Sequence, residues 1–253
     1  MIWVVGGTSN AKEICEHLAS EAYRVLVSVT TDYGRQLSEF PGIEVMQSKL
    51  SREEMEHLIQ TRGVRLVVDA SHPFAAEVSA GAMQAAKNTA VPYLRFERAN
   101  TRFESATYVD NYEEAVAYLA NKSGNILLTT GSRFVAKFIP LGAERLFARV
   151  LSTSDSISLC EQAGLQPAGI IAMAGVSSVN LNKALMDEFD IRFMVTKESG
   201  AEGGLQEKME AAKQKNVELI IIQRPTIHYP EVYSDYQSLF LRIKKSINNY
   251  NPS

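Results

Sequence analysis

The chain of 253 residues is short of the features that would commit it to several common protein classes. It has two cysteines, Cys15 and Cys160, far apart and outside any C-x-x-C pattern. That excludes a disulfide framework and a thiolate metal centre, and it fits a reducing compartment. The four histidines show no metal spacing with Cys, Asp or Glu, so no bound metal is expected. With a net charge of −3 and no block of Lys or Arg, the sequence offers no field for a nucleic-acid backbone. No apolar run approaches the ~18 residues of a membrane span, and no basic segment precedes the short apolar run at the start. A soluble, cytoplasmic protein is therefore expected, with its oligomeric state left open.

What the sequence does have is alternation. Short β-branched runs alternate with amphipathic segments, the pattern of βα units that build parallel sheets. Strands are expected at Ile2–Val5, Arg24–Thr30, Ile43–Gln47, Arg65–Asp69 and Tyr93–Phe96. Helices are expected over Thr8–Ala22, Ser51–Thr61, with a capping-box start at Ser51 and Glu54, and Pro73–Asn88. The pattern resumes with strands near Thr107–Val109, Asn125–Thr129, Arg145–Val150, Gly169–Ala172, Ile191–Val195 and Val217–Ile222. A helix over Glu231–Asn248 ends it. The polar stretch after Glu97 divides the chain into a dinucleotide-binding domain, residues 1–98, and a substrate-binding α/β domain, residues 99–253; the terminal helix is free to join either. The fold class is α/β, with two Rossmann-like domains, mostly parallel sheets and a cleft between the domains.

In such sheets ligands bind beyond the carboxyl ends of the strands. The turn Gly6-Gly7-Thr8-Ser9 after the first strand lets backbone approach a phosphate at a helix start, although without the full G-x-G-x-x-G it also reads as a plain strand-to-helix turn. Ser28, Thr30 and Thr31 stand at the end of the second strand, where an acid would bond the ribose of NAD. Hydroxyls there favour the 2′-phosphate of NADPH, with NADH possible, or else they cap the turn that follows. Asp69, Ser71 and His72 follow the fourth strand. His72 at the rim is the first candidate for the proton donor, with water the second; it also reads as a cofactor contact or a histidine that holds its loop.

In the second half, Gly131-Ser132-Arg133 and the glycine-rich turn Thr196–Gly204, with Lys197, Ser199 and Gly204, are candidate anion sites. Two such sites suit a substrate bearing several carboxylates or phosphates. Ser105, Tyr118 and Lys122 match the Ser, Tyr-x-x-x-Lys spacing of short-chain dehydrogenases, but at the wrong end of a helix.

Taken in order, Val5-Gly-Gly-Thr8, Val29–Gly34, Val68–Ala75, Leu128–Arg133, Val195–Gly204, Glu207-Lys208 and Arg224-Pro225 resemble the precorrin-6A reductase family of cobalamin biosynthesis, including its cobalt-precorrin branch. The resemblance spans nearly the whole chain, with departures at Asn10, Lys12 and Ala174–Ser177. It implies reduction by NADPH or NADH of one double bond in a tetrapyrrole. The cofactor would lie on Gly6, Gly7, Thr8, Ser9, Ser28, Thr30, Thr31, Asp69 and Ser71. The substrate would lie on Gly131, Ser132, Arg133, Lys197, Ser199 and Gly204. Readings of another class remain: a regulator that senses NADPH without turnover, or a short-chain dehydrogenase using Tyr118 and Lys122.

Overall fold

A computed structural model describes residues 1–98, 102–200 and 203–248, the side chain of Tyr33 apart. Part of the expected domain junction, Ala99 to Thr101, and Ala201 and Glu202 of the glycine-rich turn lie outside the described residues. The chain forms two compact units, Met1–Ala99 with Pro225–Ser253, and Asn100–Arg224.

The first unit opens with β1 (Ile2–Val5), α1 (Ser9–Ser20), β2 (Val25–Val29), α2 (Asp32–Ser38) and β3 (Ile43–Gln47). It continues with α3 (Arg52–Thr61), β4 (Leu66–Asp69), α4 (Ala76–Asn88) and β5 (Tyr93–Phe96). Every residue of β1, β2, β4 and β5 is buried, as strands covered by helices on both faces require. Local signals set the helix starts. Thr8 accepts a hydrogen bond from Ala11 N to cap α1, and Ser51 and Glu54 close the capping box of α3. The helix expected from Pro73 begins three residues later, because Ala75 N–H donates to His72 O and closes a separate turn first.

The second unit carries β6 (Thr107–Val109), α5 (Tyr112–Leu119), β7 (Asn125–Leu128), α6 (Val135–Phe138), β8 (Leu146–Val150) and α7 (Ser154–Gln162). After these come β9 (Ile170–Ala172), α8 (Val179–Glu188), β10 (Ile191–Lys197), α9 (Leu205–Lys215) and β11 (Glu218–Ile222). The chain then returns to the first unit with β12 (Val232–Tyr233) and α10 (Tyr236–Asn248). The terminal helix expected from Glu231 thus starts later and is preceded by a strand. Leu239 and Ile243 of α10 pack with Ile14 and Leu18 of α1 against Val4, Val68 and Leu94, so burial of its apolar stripe fixes the helix to the first unit.

Both sheets are six-stranded, and every strand pair in them is parallel. Their orders are β12-β5-β4-β1-β2-β3 and β6-β11-β10-β7-β8-β9. Counted from β1 and from β7, both follow the doubly wound order, in which the chain reverses direction across the sheet between the first and fourth strands. The sixth place goes to the last strand of the chain in one sheet and to the strand preceding β7 in the other. Each reversal point lies between two of the turns singled out by sequence: Gly6–Ser9 beside Asp69–His72, and Gly131–Arg133 beside Lys197–Gly204.

Candidate functional site

At the first reversal point the β1–α1 turn is built for close approach. Gly7 has φ +98° and open space where a side chain would stand, while a Cβ on Gly6 would lie 2.5 Å from Val27 Cγ2. Thr8 donates its hydroxyl to Ala70 O at 2.7 Å, which ties this turn to the end of β4. With Thr8 capping Ala11, the N–H groups of Ser9 and Asn10 have no acceptor inside the helix. They are free to meet an anion at the positive end of α1.

The hydroxyls expected after β2 divide. Ser28 is buried inside the strand and accepts from Trp3 Nε1 at 2.9 Å, so it does not reach the edge. Thr30 and Thr31 are exposed there, and Thr31 caps α2 by accepting from Gly34 N at 3.0 Å. Asp32, the nearest acid, accepts from Gln47 Nε2 at 2.8 Å.

Asp69 and Ser71 are in the expected turn, but their side chains belong to the core. Asp69 is fully buried and its carboxylate is spoken for: Ser71 N–H donates at 2.9 Å, Tyr93 OH at 2.5 Å and Arg95 Nη1 at 2.9 Å. Arg95, also fully buried, donates to Ser71 O at 3.0 Å and bonds Glu97 through Nε and Nη2. Burial works against its charge, yet Asp69 and Glu97 hold the guanidinium more firmly protonated than usual. Neither Asp69 nor Ser71 can offer its side chain to a ligand; both shape the turn that carries His72. His72 is half-buried, and its Nδ1 accepts from Phe74 N–H at 3.2 Å.

The second reversal point is a concentration of positive charge. Lys197 ends β10, and its ammonium pKa is lowered to about 8 by burial and by the neighbouring charge of Arg133, the exposed residue after β7. Lys208, on the first turns of α9, is 4% exposed and donates to Gly203 O at 2.6 Å and Thr196 Oγ1 at 3.2 Å. Its pKa is lowered to about 7 by burial and then by Arg149 and Lys197, with Glu207 acting the other way more weakly. Arg149, on β8, donates to the neutral oxygens of Ser177 and Asn182 at 2.6 and 2.9 Å, and burial lowers its pKa too. The hydroxyl of Thr130, just before Gly131, is buried without a hydrogen-bond partner.

Ser132 and Ser199 lie half-buried on the two flanking turns. Gly204 starts α9 at φ +65°, where a Cβ would lie 2.5 Å from Val176 Cγ1, so the turn closes only with glycine. Sequence reading placed Arg133 and Lys197 here and missed the parts of Arg149 and Lys208. A mid-strand arginine and a helical lysine resemble solvated positions until strand order brings β8, β7 and β10 together.

The dehydrogenase-like trio is overturned. Tyr118 and Lys122 both bond Glu218, the first residue of β11, with Lys122 Nζ at 2.8 and 3.0 Å from its two oxygens. That is the amino end of the sheet, away from the reversal point. Among the described residues no three or more of His, Cys, Asp and Glu converge as metal ligands, and no helix is long and apolar enough to cross a membrane.

Known proteins agree with this architecture from end to end. A solved structure named CobK precorrin-6A reductase superposes with a TM-score of 0.81 at 21% identity, over 97% of this chain and 96% of that one, a likeness of fold. A cobalt-precorrin-6A reductase of Priestia megaterium is 40% identical over 245 residues, covering 94% of this chain and 96% of the relative. Another, from Methanococcus maripaludis, is 36% identical over 237 residues, covering 90% and 93%. The family model for the precorrin-6x reductases CbiJ/CobK matches residues 1–244, and the chain belongs to that family of oxidoreductases.

Proposed function

We propose that the chain reduces one ring double bond of cobalt-precorrin-6A with NADPH, in the building of the corrin ring. The observation that carries this reading is the row Arg133, Lys197, Lys208 and Arg149 at the reversal point of the second sheet. Within it the buried Lys208 and the half-buried Arg149 hydrogen-bond to neutral oxygens, and two such cations side by side need an anion to compensate them. A tetrapyrrole fringed with acetate and propionate arms supplies several. Gly131, Ser132 and Ser199 add backbone and hydroxyl donors around the same anions. The cobalt form is supported by the names of the two sequence relatives.

The first unit suits a dinucleotide. Gly6, Gly7 and the N–H groups of Ser9 and Asn10 would hold its pyrophosphate, and Thr30 and Thr31 would donate to the 2′-phosphate of NADPH. Asp32 is engaged with Gln47, which supports NADPH over NADH, since a free carboxylate there would favour the bare ribose. When bound, the nicotinamide supplies the hydride; the protein's share is to orient both planar reactants and exclude water. His72, on the turn after β4, contacts the reactants.

The test is anaerobic mixing of the protein with NADPH and either cobalt-precorrin-6A or its metal-free form, following the cofactor absorbance. Oxidation of NADPH, faster with the cobalt substrate and slower when NADH replaces NADPH, is expected. Binding of NADPH with no oxidation by either substrate would leave a nucleotide sensor and defeat the proposal.

A further inference from the structure

A phosphate monoester carries about two negative charges at neutral pH, and at the end of β2 Thr30 and Thr31 offer the 2′-phosphate of NADPH hydroxyls alone. We infer that Lys49, the exposed residue just past β3, supplies the cation that pairs with this phosphate and so sets the preference for NADPH over NADH. The inference rests on the first unit being the NADPH site, as proposed above.

The placement follows from strand register. β3 is the edge strand of the first sheet and runs parallel to β2, with Ser28 opposite Met46 and Val29 opposite Gln47. The pairing goes one bond further, because Ser48 N–H donates to Val29 O at 3.0 Å. Counted on in the same register, Lys49 falls opposite Thr31.

The side chains alternate over the same stretch. Met46 and Leu50 pack with Trp3, Leu26 and Leu58 on one face of the sheet, whereas Val45 packs with Val27 and Val29 on the other. Gln47 belongs with Val45, and there its Nε2 donates at 2.8 Å to Asp32, the first residue of α2. Lys49, two residues beyond Gln47 and next to Leu50, belongs to that same face, the one on which α2 begins.

The other charges at this end are engaged within the unit. Asp32 is held by Gln47, and Arg35, in the first turn of α2, lies 3.0 Å from Glu39. Beyond Lys49, Glu54 closes the capping box with Ser51, and Arg52 lies 3.0 Å from Glu53. Among the described residues no hydrogen bond or ion pair engages Lys49. A phosphate reaching this strand end therefore displaces no partner from it. A lysine ammonium, a compact charge on a flexible stem, binds phosphate as a point charge and needs no fixed geometry. NADH, whose ribose carries a bare hydroxyl, cannot make the contact.

Equilibrium Kd values for NADPH and NADH, measured on the wild-type protein, Lys49→Met, Lys49→Arg and Arg35→Met, test the assignment. Lys49→Met is expected to weaken NADPH about fivefold while NADH stays within about twofold, and Lys49→Arg to keep wild-type affinity. Because the contact is exposed, the gap between wild type and Lys49→Met should close towards about 1 M salt, where charges are screened within about 3 Å. Adenosine 2′,5′-bisphosphate and adenosine 5′-monophosphate repeat the comparison without the nicotinamide, and the loss should be confined to the bisphosphate.

Unchanged NADPH affinity in Lys49→Met, in a protein that prefers NADPH, would make Lys49 a solvated surface residue and overturn the inference. A loss in Arg35→Met with none in Lys49→Met would move the cation to α2 and overturn it as well. So would equal losses for NADPH and NADH, which would put Lys49 on a part that both cofactors share. A wild-type protein with no preference for NADPH would instead defeat the reading on which the inference rests.

Discussion

The two sheets share a strand order but treat buried charge in opposite ways. At the reversal point of the first, every buried ion is paired: Arg95 lies between Asp69 and Glu97, and Tyr93 and Ser71 satisfy what remains of Asp69. At that of the second, Arg149 and Lys208 are bonded to hydroxyl, amide and carbonyl oxygens, and their pKa values are lowered by burial and, for Lys208, by the neighbouring charges of Arg149 and Lys197. A closed ion pair is spent on the fold, whereas a buried cation without one is, on the proposed reading, the group that meets the substrate. On that reading the difference separates residues that shape a site from those that bind at it, although the sequence presents both as polar groups near strand ends.

The largest test of that distinction is in stability. Arg95→Met strands the Asp69 carboxylate in the core and is expected to cost about 3–5 kcal/mol in urea unfolding, much of it restored by adding Asp69→Asn. Arg149→Met, which loses hydrogen bonds to neutral partners only, should cost about 1 kcal/mol. Equal costs would erase the contrast between the two sheets.

A second test uses pH. Lys208 has its folded pKa lowered from 10.5 to about 7, so between those values the unfolded chain binds more protons than the folded one. Stability conferred at this position therefore rises with pH across that window, by up to about 1.4 kcal/mol per unit. Lys208→Met should remove the rise: more stable than wild type near pH 7, its advantage should shrink towards pH 10. A constant difference between the two proteins would mean that Lys208 is not an uncompensated buried cation.

The smallest effect is on cofactor choice. Thr31→Asp keeps the cap on α2, because aspartate accepts Gly34 N–H as well as threonine does, but it sets a carboxylate at the end of β2. The KM for NADPH should rise about tenfold with that for NADH unchanged, about 1.4 kcal/mol of repulsion. Equal KM shifts for both cofactors would take the 2′-phosphate away from this strand end.

Much of the fold was legible because its signals are local. The apolar runs of β1, β3 and β5 and the capping box at Ser51 need only their neighbours in sequence. β12 was not legible: two residues, Val232 and Tyr233, become a strand only by pairing with Arg95 and Phe96. The site divides in the same way. Gly7, Thr31 and Arg133 could be picked out because they lie in the turns that follow strands, and Lys197 because it ends one. Asp69 looked like a ligand contact because its partner Arg95 lies 26 residues further on; Arg149 was not singled out, and Lys208 entered only with Glu207 in the family resemblance, because only the order of β8, β7 and β10 gathers them.

The most direct test of the division between the units is equilibrium binding of NADPH and of cobalt-precorrin-6A, measured separately on Arg133→Ala and Lys197→Met. The expected result is a loss of about tenfold or more in affinity for the tetrapyrrole, with NADPH affinity within about twofold of wild type. Weakened NADPH binding with the tetrapyrrole unaffected would contradict the assignment of the second unit to the substrate.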